Sequence, residues 1–265
     1  MITINIDPTL FHLGPLAFSW YGLAVAAGML AGIWLLLREA QRRGLPTEPA
    51  LDLVFWIIAA GLVGARLLYV LDRWSFYAAN PTQIFSIHTG GLSIMGAILG
   101  GGLTAALLAR RRGLPVRRLF DAAAPGIVLG QAIGRFGCLV TGDTVGRPTD
   151  GGWGIVYMNP GARVPQLGVA YQPAFFYEQV WDVLVFAILW RLRWHVRGDG
   201  QLFAVYLGLY AVGKFAITFI RLDPVYFWGL QQSHFVALGL LMLAIGWSLW
   251  NRAQSRGSAT PQLSS

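Results

Sequence analysis

Seven apolar segments, separated by loops that hold nearly all of the arginines, constrain this chain more than any other feature. They run over residues 17–37, 51–71, 90–109, 119–141, 174–190, 203–220 and 233–250. A helix needs about 20 mostly apolar residues to cross the hydrocarbon core of a bilayer, and each segment is of that order. The fifth is the least apolar because it contains Glu178 and Asp182. Of the 265 residues only 12% are charged, against roughly 25% in ordinary soluble domains. The sequence therefore predicts an all-α integral membrane protein of seven transmembrane helices.

The arginines set its orientation, since short cytoplasmic loops are the ones enriched in Lys and Arg. One alternating set of loops and ends carries Arg38, Arg42, Arg43, Arg110, Arg111, Arg112, Arg117, Arg118, Arg191, Arg193, Arg197, Arg252 and Arg256. The other carries Arg73, Arg147, Arg163 and Arg221. Thirteen against four predicts an N-terminus outside and a C-terminus in the cytoplasm. The net charge of +8 is thus a topological signal and points to no nucleic-acid partner.

Residues 1–253 read as a single polytopic domain, and the polar tail 254–265 as a disordered cytoplasmic segment. The N-terminus lacks the pattern of a cleaved signal peptide, so the first helix is expected to act as its own insertion signal. The longest loop, Gly142 to Pro173, lies outside between the fourth and fifth helices. Its glycines and prolines, with Trp153, Tyr157 and Tyr171, suggest a lid or arm at headgroup level. Gly96 and Gly100, four apart, suit close helix packing. His88 opens a turn that enters the third helix from outside. The lone Cys138 forms no internal disulfide and suits a small packing position.

Three basic residues remain, and all fall inside spans: Arg66, Arg135 and Lys214, the only lysine. A charge at mid-helix costs about 2.5 to 3.5 kcal/mol on insertion scales, so each is a functional-site candidate. Positions three or four apart share a helix face. Gln131, Arg135, Cys138 and Gly142 make one stripe; Tyr206, Tyr210, Lys214, Thr218 and Arg221 make another. Glu178 and Asp143 belong to the same outer side. A cavity open to the outer leaflet follows, with guanidinium forks suited to phosphate oxygens and apolar walls suited to acyl chains. The simpler alternative is that Arg66 and Arg135 only neutralise Asp143, Glu178 or Asp182. No histidine spacing suggests a metal, no phosphate-cradling loop is present, and no cofactor is implied. A proton-relay transporter has no inverted repeat to support it.

The stretch GRFGCLVTGDTVGRPTD, Gly134–Asp150, resembles the signature of the prolipoprotein diacylglyceryl transferase family. SWYGLAVAAG (Ser19–Gly28), GARLLYV (Gly64–Val70), GGLSIMGAILGG (Gly90–Gly101), QPAFFYE (Gln172–Glu178) and YAVGKFAITFIRLDP (Tyr210–Pro224) resemble its other motifs, in the same order. The resemblance implies transfer of the diacylglyceryl group of phosphatidylglycerol to the lipobox cysteine of a prolipoprotein, with membrane lipid, phosphatidylglycerol and the lipobox segment as partners. It implies catalytic roles for Arg135, Asp143, Tyr210 and Lys214, and substrate binding by Arg135, Tyr21, Arg66, Gly146, Glu178 and Arg221. Met95 stands where many members have histidine, Cys138 and Thr141 replace asparagines, Asp143 and Thr218 replace glutamates, and Lys214 replaces an arginine. These departures leave a non-catalytic phospholipid-binding or transport paralogue as the alternative.

Overall fold

Long apolar runs with few helix breakers produce long helices, and the chain is mostly helical. The structure, a computed structural model, describes residues 1–14, 16–85, 91–196 and 198–257. Seven long helices follow one another: α1 (Trp20–Arg42), α2 (Thr47–Asp72), α4 (Ile94–Arg111), α5 (Val116–Thr141), α6 (Ala174–Leu192), α7 (Gln201–Thr218) and α8 (Gln232–Gly257), with a short α3 (Trp74–Ala79) and a 3-10 turn, Pro81–Phe85, after α2. Five of them, α1, α2, α5, α7 and α8, are long and apolar enough to cross a membrane. The apolar run of α6 is interrupted by Glu178, Asp182 and Arg191, and α4 ends in Arg110 and Arg111. Leu30, Phe55, Leu99 and Met242 are all largely exposed on their helices. Water would not tolerate so much uncovered apolar surface, and lipid does.

The chain divides into two compact units. The first comprises Met1–Leu13, Ala17–Leu36 and everything from Phe120 onward; the second comprises Gly14–Leu16 and Leu37–Leu119. In the first unit α1 and α5 meet through glycines spaced four apart on both helices. A Cβ added at Gly28 would lie 2.6 Å from the Gly130 carbonyl oxygen, and one at Gly126 would lie 2.5 Å from that of Gly32. Small residues on both helices let the backbones approach, and close packing replaces the hydrophobic drive that lipid removes. Within the second unit α2 and α4 use the same device, Gly96 against Gly64 and Gly100 against Ala60, as the spacing predicts.

Two expectations need correction. The loop between α5 and α6 does not hold its tyrosines at headgroup level. It folds into β4 (Ile155–Tyr157) and β5 (Ala170–Tyr171), and β4 pairs in parallel with the N-terminal strand β1 (Ile2–Ile4). Tyr157 and Tyr171, expected at headgroup level, are buried with Ile4, Cys138, Val145, Ile155 and Phe175; only Trp153 is exposed. Tyr157 donates its hydroxyl to the Leu139 carbonyl at 3.0 Å. Its burial, with Asp143 and Cys138 near, pushes the phenol above its ordinary pKa, so the hydroxyl stays a donor. The second correction concerns the tail: α8 continues through Gly257, so residues 254–257 are helical, and 258–265 lie outside the described residues. The turn at His88 also lies outside them. Two small two-stranded sheets are also present: β2 (Thr9–Leu13) with β3 (Leu16–Ser19), and, in the first unit, the antiparallel β6 (Val225–Phe227) with β7 (Leu230–Gln231).

Candidate active site

The site is assembled on α5, α6, α7 and the segment after α7, all in the first unit. The helix α7 begins where Asp121 of α5 reaches across to it. Asp121 is fully buried, and its two oxygens accept the backbone amides of Gly200 at 2.8 Å and Phe203 at 2.9 Å. An acidic cap satisfies first-turn amides and opposes the positive end of the helix. The glycine at position 213 then fixes how closely α6 and α7 approach, because an added Cβ would collide with the Trp181 indole. That indole donates to the Leu209 carbonyl at 3.0 Å.

This packing brings three cations onto one carboxylate. Arg135 Nη1 lies 2.5 Å from Glu178 Oε2, while Lys214 Nζ at 2.9 Å and Arg221 Nη1 at 3.0 Å share Oε1. Glu178 is buried. One turn further along α6, Asp182 is also buried, and its Oδ2 lies 3.9 Å from Arg135 Nε with no hydrogen-bond partner among the described residues. Arg221 forks onto Asp223 through Nε at 2.7 Å and Nη2 at 3.3 Å. Burial opposes its charge, yet Asp223 and Glu178 more than offset this and raise its pKa. Arg135, Glu178, Trp181, Asp182, Tyr210, Gly213, Lys214 and Ile217 line a cavity of about 10 Å³, room for roughly one water.

The backbone holds Arg221 in place through Gly146. A Cβ there would meet the Gln172 Cβ at 2.9 Å and the Ile220 carbonyl oxygen at 3.0 Å. Without one, Gly146 pairs with Arg221 as an antiparallel bridge. Arg147 N bonds Ile220 O at 3.0 Å, and Leu222 N bonds Val145 O at 3.2 Å. Thr218 donates to the Lys214 carbonyl at 2.6 Å.

The structure thus brings together Arg135, Tyr210, Lys214, Glu178 and Arg221, with Gly146 behind Arg221. Tyr21 packs against Gly137 of α5 and is within electrostatic reach of Asp143 and Arg135. Asp143 is exposed, accepts from Thr141 Oγ1 at 3.0 Å, and is not among the residues lining the cavity. Arg66 belongs to the second unit. It donates to the carbonyls of Ile84 at 2.8 Å, Gly91 at 2.9 Å and Gln83 at 2.6 Å, so its fork is engaged in tying down the connection before α4. Sequence reasoning considered Asp182 only as an ion-pair partner of Arg135 and gave Asp223 no place in the site. The spacing Glu178-x-x-x-Asp182 was the available signal for one, and the proximity of Asp223 to Arg221 for the other.

Apolar helices around a half-buried cluster of three cations, closed on the buried Glu178, define a multi-pass helical membrane protein. Comparison with known proteins narrows the class. The family model for prolipoprotein diacylglyceryl transferase matches residues 8–250. The phosphatidylglycerol–prolipoprotein diacylglyceryl transferase of Geobacillus kaustophilus is 38% identical over 259 residues, which cover 96% of this chain and 95% of the relative. That of Bacillus cereus is 37% identical over 248 residues, 91% of this chain and 90% of the relative. The chain belongs to the prolipoprotein diacylglyceryl transferase family.

Proposed function

We propose that this protein transfers the diacylglyceryl group of phosphatidylglycerol to the lipobox cysteine thiol of prolipoproteins at the outer face of a bacterial inner membrane. The sulfur attacks the glyceryl carbon that bears the phosphate ester. The C–S bond forms as the C–O bond breaks, glycerol phosphate leaves with the electron pair, and the thiol proton is released. Charge therefore grows on a phosphate oxygen, and stabilising it with fixed cations is the largest single contribution a site of this kind makes.

The observation that carries this reading is the convergence of Arg135, Lys214 and Arg221 on Glu178. A carboxylate and a phosphate present similar oxygens to a guanidinium fork. The cavity is too small for a headgroup, so the phosphate takes over at least one cation from Glu178. Arg135 is the phosphate anchor in this reading. Lys214 and Arg221 add charge, Tyr210 faces the reacting atoms, and Tyr21 and Gly146 shape the approach. Asp143, beside Tyr21, stands nearer the incoming thiol than the phosphate. The thirteen arginines on one side of the alternating loops support seven spans with the N-terminus outside and the C-terminus in the cytoplasm.

The test is transfer of labelled diacylglycerol from phosphatidylglycerol to a lipobox peptide by the purified protein. The expected result is a thioether product that Arg135→Ala abolishes while the variant stays folded. Bound phospholipid with no product, from folded wild-type protein, would instead favour the non-catalytic binder.

A further inference from the structure

The β6–β7 hairpin joins α7 to α8 and ends in an unusual turn. Phe227 pairs with Leu230, leaving Trp228 and Gly229 as a two-residue loop. Their φ angles are +50° and +73°, so both lie in the left-handed region, as a type I′ turn requires. The first position of such a turn favours Asn, Asp or Gly; a bulky residue there is an outlier with a conformational cost. Trp228 is the only non-glycine residue with positive φ among the described residues. It is also 94% exposed, beside Phe227 at 71%, Tyr226 at 61% and Val225 at 60%. Folding of this chain thus accepts backbone strain in order to display, uncovered, the residue type that gains most from burial.

The molecule's own membrane geometry says what covers it. Both flanking helices are long and apolar enough to cross a bilayer, so their connection emerges at the membrane surface. No charge interrupts Val225–Leu230. From the hairpin base an apolar stripe runs down α8 through Phe235, Leu238, Met242, Ile245 and Leu249, every one exposed and spaced along one helix face. The aromatic tip continues a lipid-facing surface, at the level where amphipathic rings favour the headgroup boundary. A polypeptide adding to β6 as a further strand fits less well, since the strand has three residues and an irregular register between Val225 and Phe227, features that discourage edge pairing.

We propose that the β6–β7 hairpin is an interfacial lipid anchor that holds Arg221 at the depth of phospholipid phosphates. The link to Arg221 is direct: Gln231, at the hairpin base, donates Nε2 to the carbonyl of Arg221 at 2.9 Å, and the side chain of that same residue reaches Glu178. The anchoring stands on the hairpin alone, whereas the positioning of Arg221 rests on the phosphate-binding reading above.

The experiment labels Phe227→Cys with an environment-sensitive fluorophore in protein reconstituted into phosphatidylglycerol vesicles; wild type, whose one cysteine is the buried Cys138, is the blank. Shallow spin-labelled lipids are expected to quench the label and aqueous iodide is not. Trp228→Asn, which suits the turn better than tryptophan, is then expected to bring the label into water. It is also expected to lower transfer from vesicle lipid several-fold while sparing transfer from detergent-dispersed lipid. A label open to iodide, or one shielded only when lipobox peptide is added, overturns the anchor. Immersion lost in Trp228→Asn with no change in transfer overturns the positioning of Arg221. An Arg135→Ala protein that remains active would sink the phosphate-binding reading and leave the depth measurement standing.

Discussion

Glu178 is the residue on which the site balances. Three cations share its two oxygens, and removing one partner of a buried ion pair costs about 3 to 5 kcal/mol, because charge is left uncompensated. Glu178→Gln is therefore expected to lower the melting temperature in detergent. Added phosphatidylglycerol should restore the variant more than it stabilises wild type, because a phosphate replaces the missing charge, and a phosphate-free lipid such as diacylglycerol should not. Equal rescue by both lipids would contradict this. Lys214→Met removes one of the three cations without changing length much, and is expected to reduce transfer while the protein remains folded, as thermal melting would show. Helical spacing made Arg135, Tyr210, Lys214 and Glu178 legible as a set, since stripes on neighbouring helices follow from sequence. Partner choice was not legible. Whether a guanidinium in a span serves a ligand or, like Arg66, three backbone carbonyls depends on which loop folds back over it.

At the scale of elements, close helix contacts rest on small residues, and the start of α7 rests on a remote cap. Asp121 belongs to α5 but caps α7, 79 residues ahead of Gly200. Losing a charge-assisted bond to a buried amide costs roughly 1 to 3 kcal/mol, so Asp121→Asn is expected to destabilise the protein by about that amount, measured by chemical denaturation. Gly213→Leu should act differently. Its side chain would meet the Trp181 indole, separate α6 from α7 and draw Lys214 from Glu178, so transfer should fall more steeply than stability. Intact transfer in that variant would show that the spacing does not matter. The long helices were legible because apolar runs and charged ends mark them. The sheet of β1, β4 and β5 was not: its strands are two or three residues long, and β1 finds its partner about 150 residues away. Such short strands carry no alternating pattern of their own, and a glycine-rich loop conceals them.

On the scale of the whole molecule, charge asymmetry and apolar length made the class of protein legible, and the motifs in order made the family legible. The internal occupant of the site was not, because three cations and one carboxylate on paper do not reveal that all three converge. That convergence gives the account its central claim: the cluster now closed on Glu178 opens to the phosphate of the lipid donor. The most direct measurement is a solid-state NMR dipolar recoupling experiment between the 31P of bound phosphatidylglycerol and 15N-labelled arginine side chains in reconstituted protein. A short phosphorus–nitrogen contact is expected in wild type and should weaken sharply in Arg135→Lys. Lipid that binds with no such contact, or a contact unchanged in Arg135→Lys, would contradict the claim.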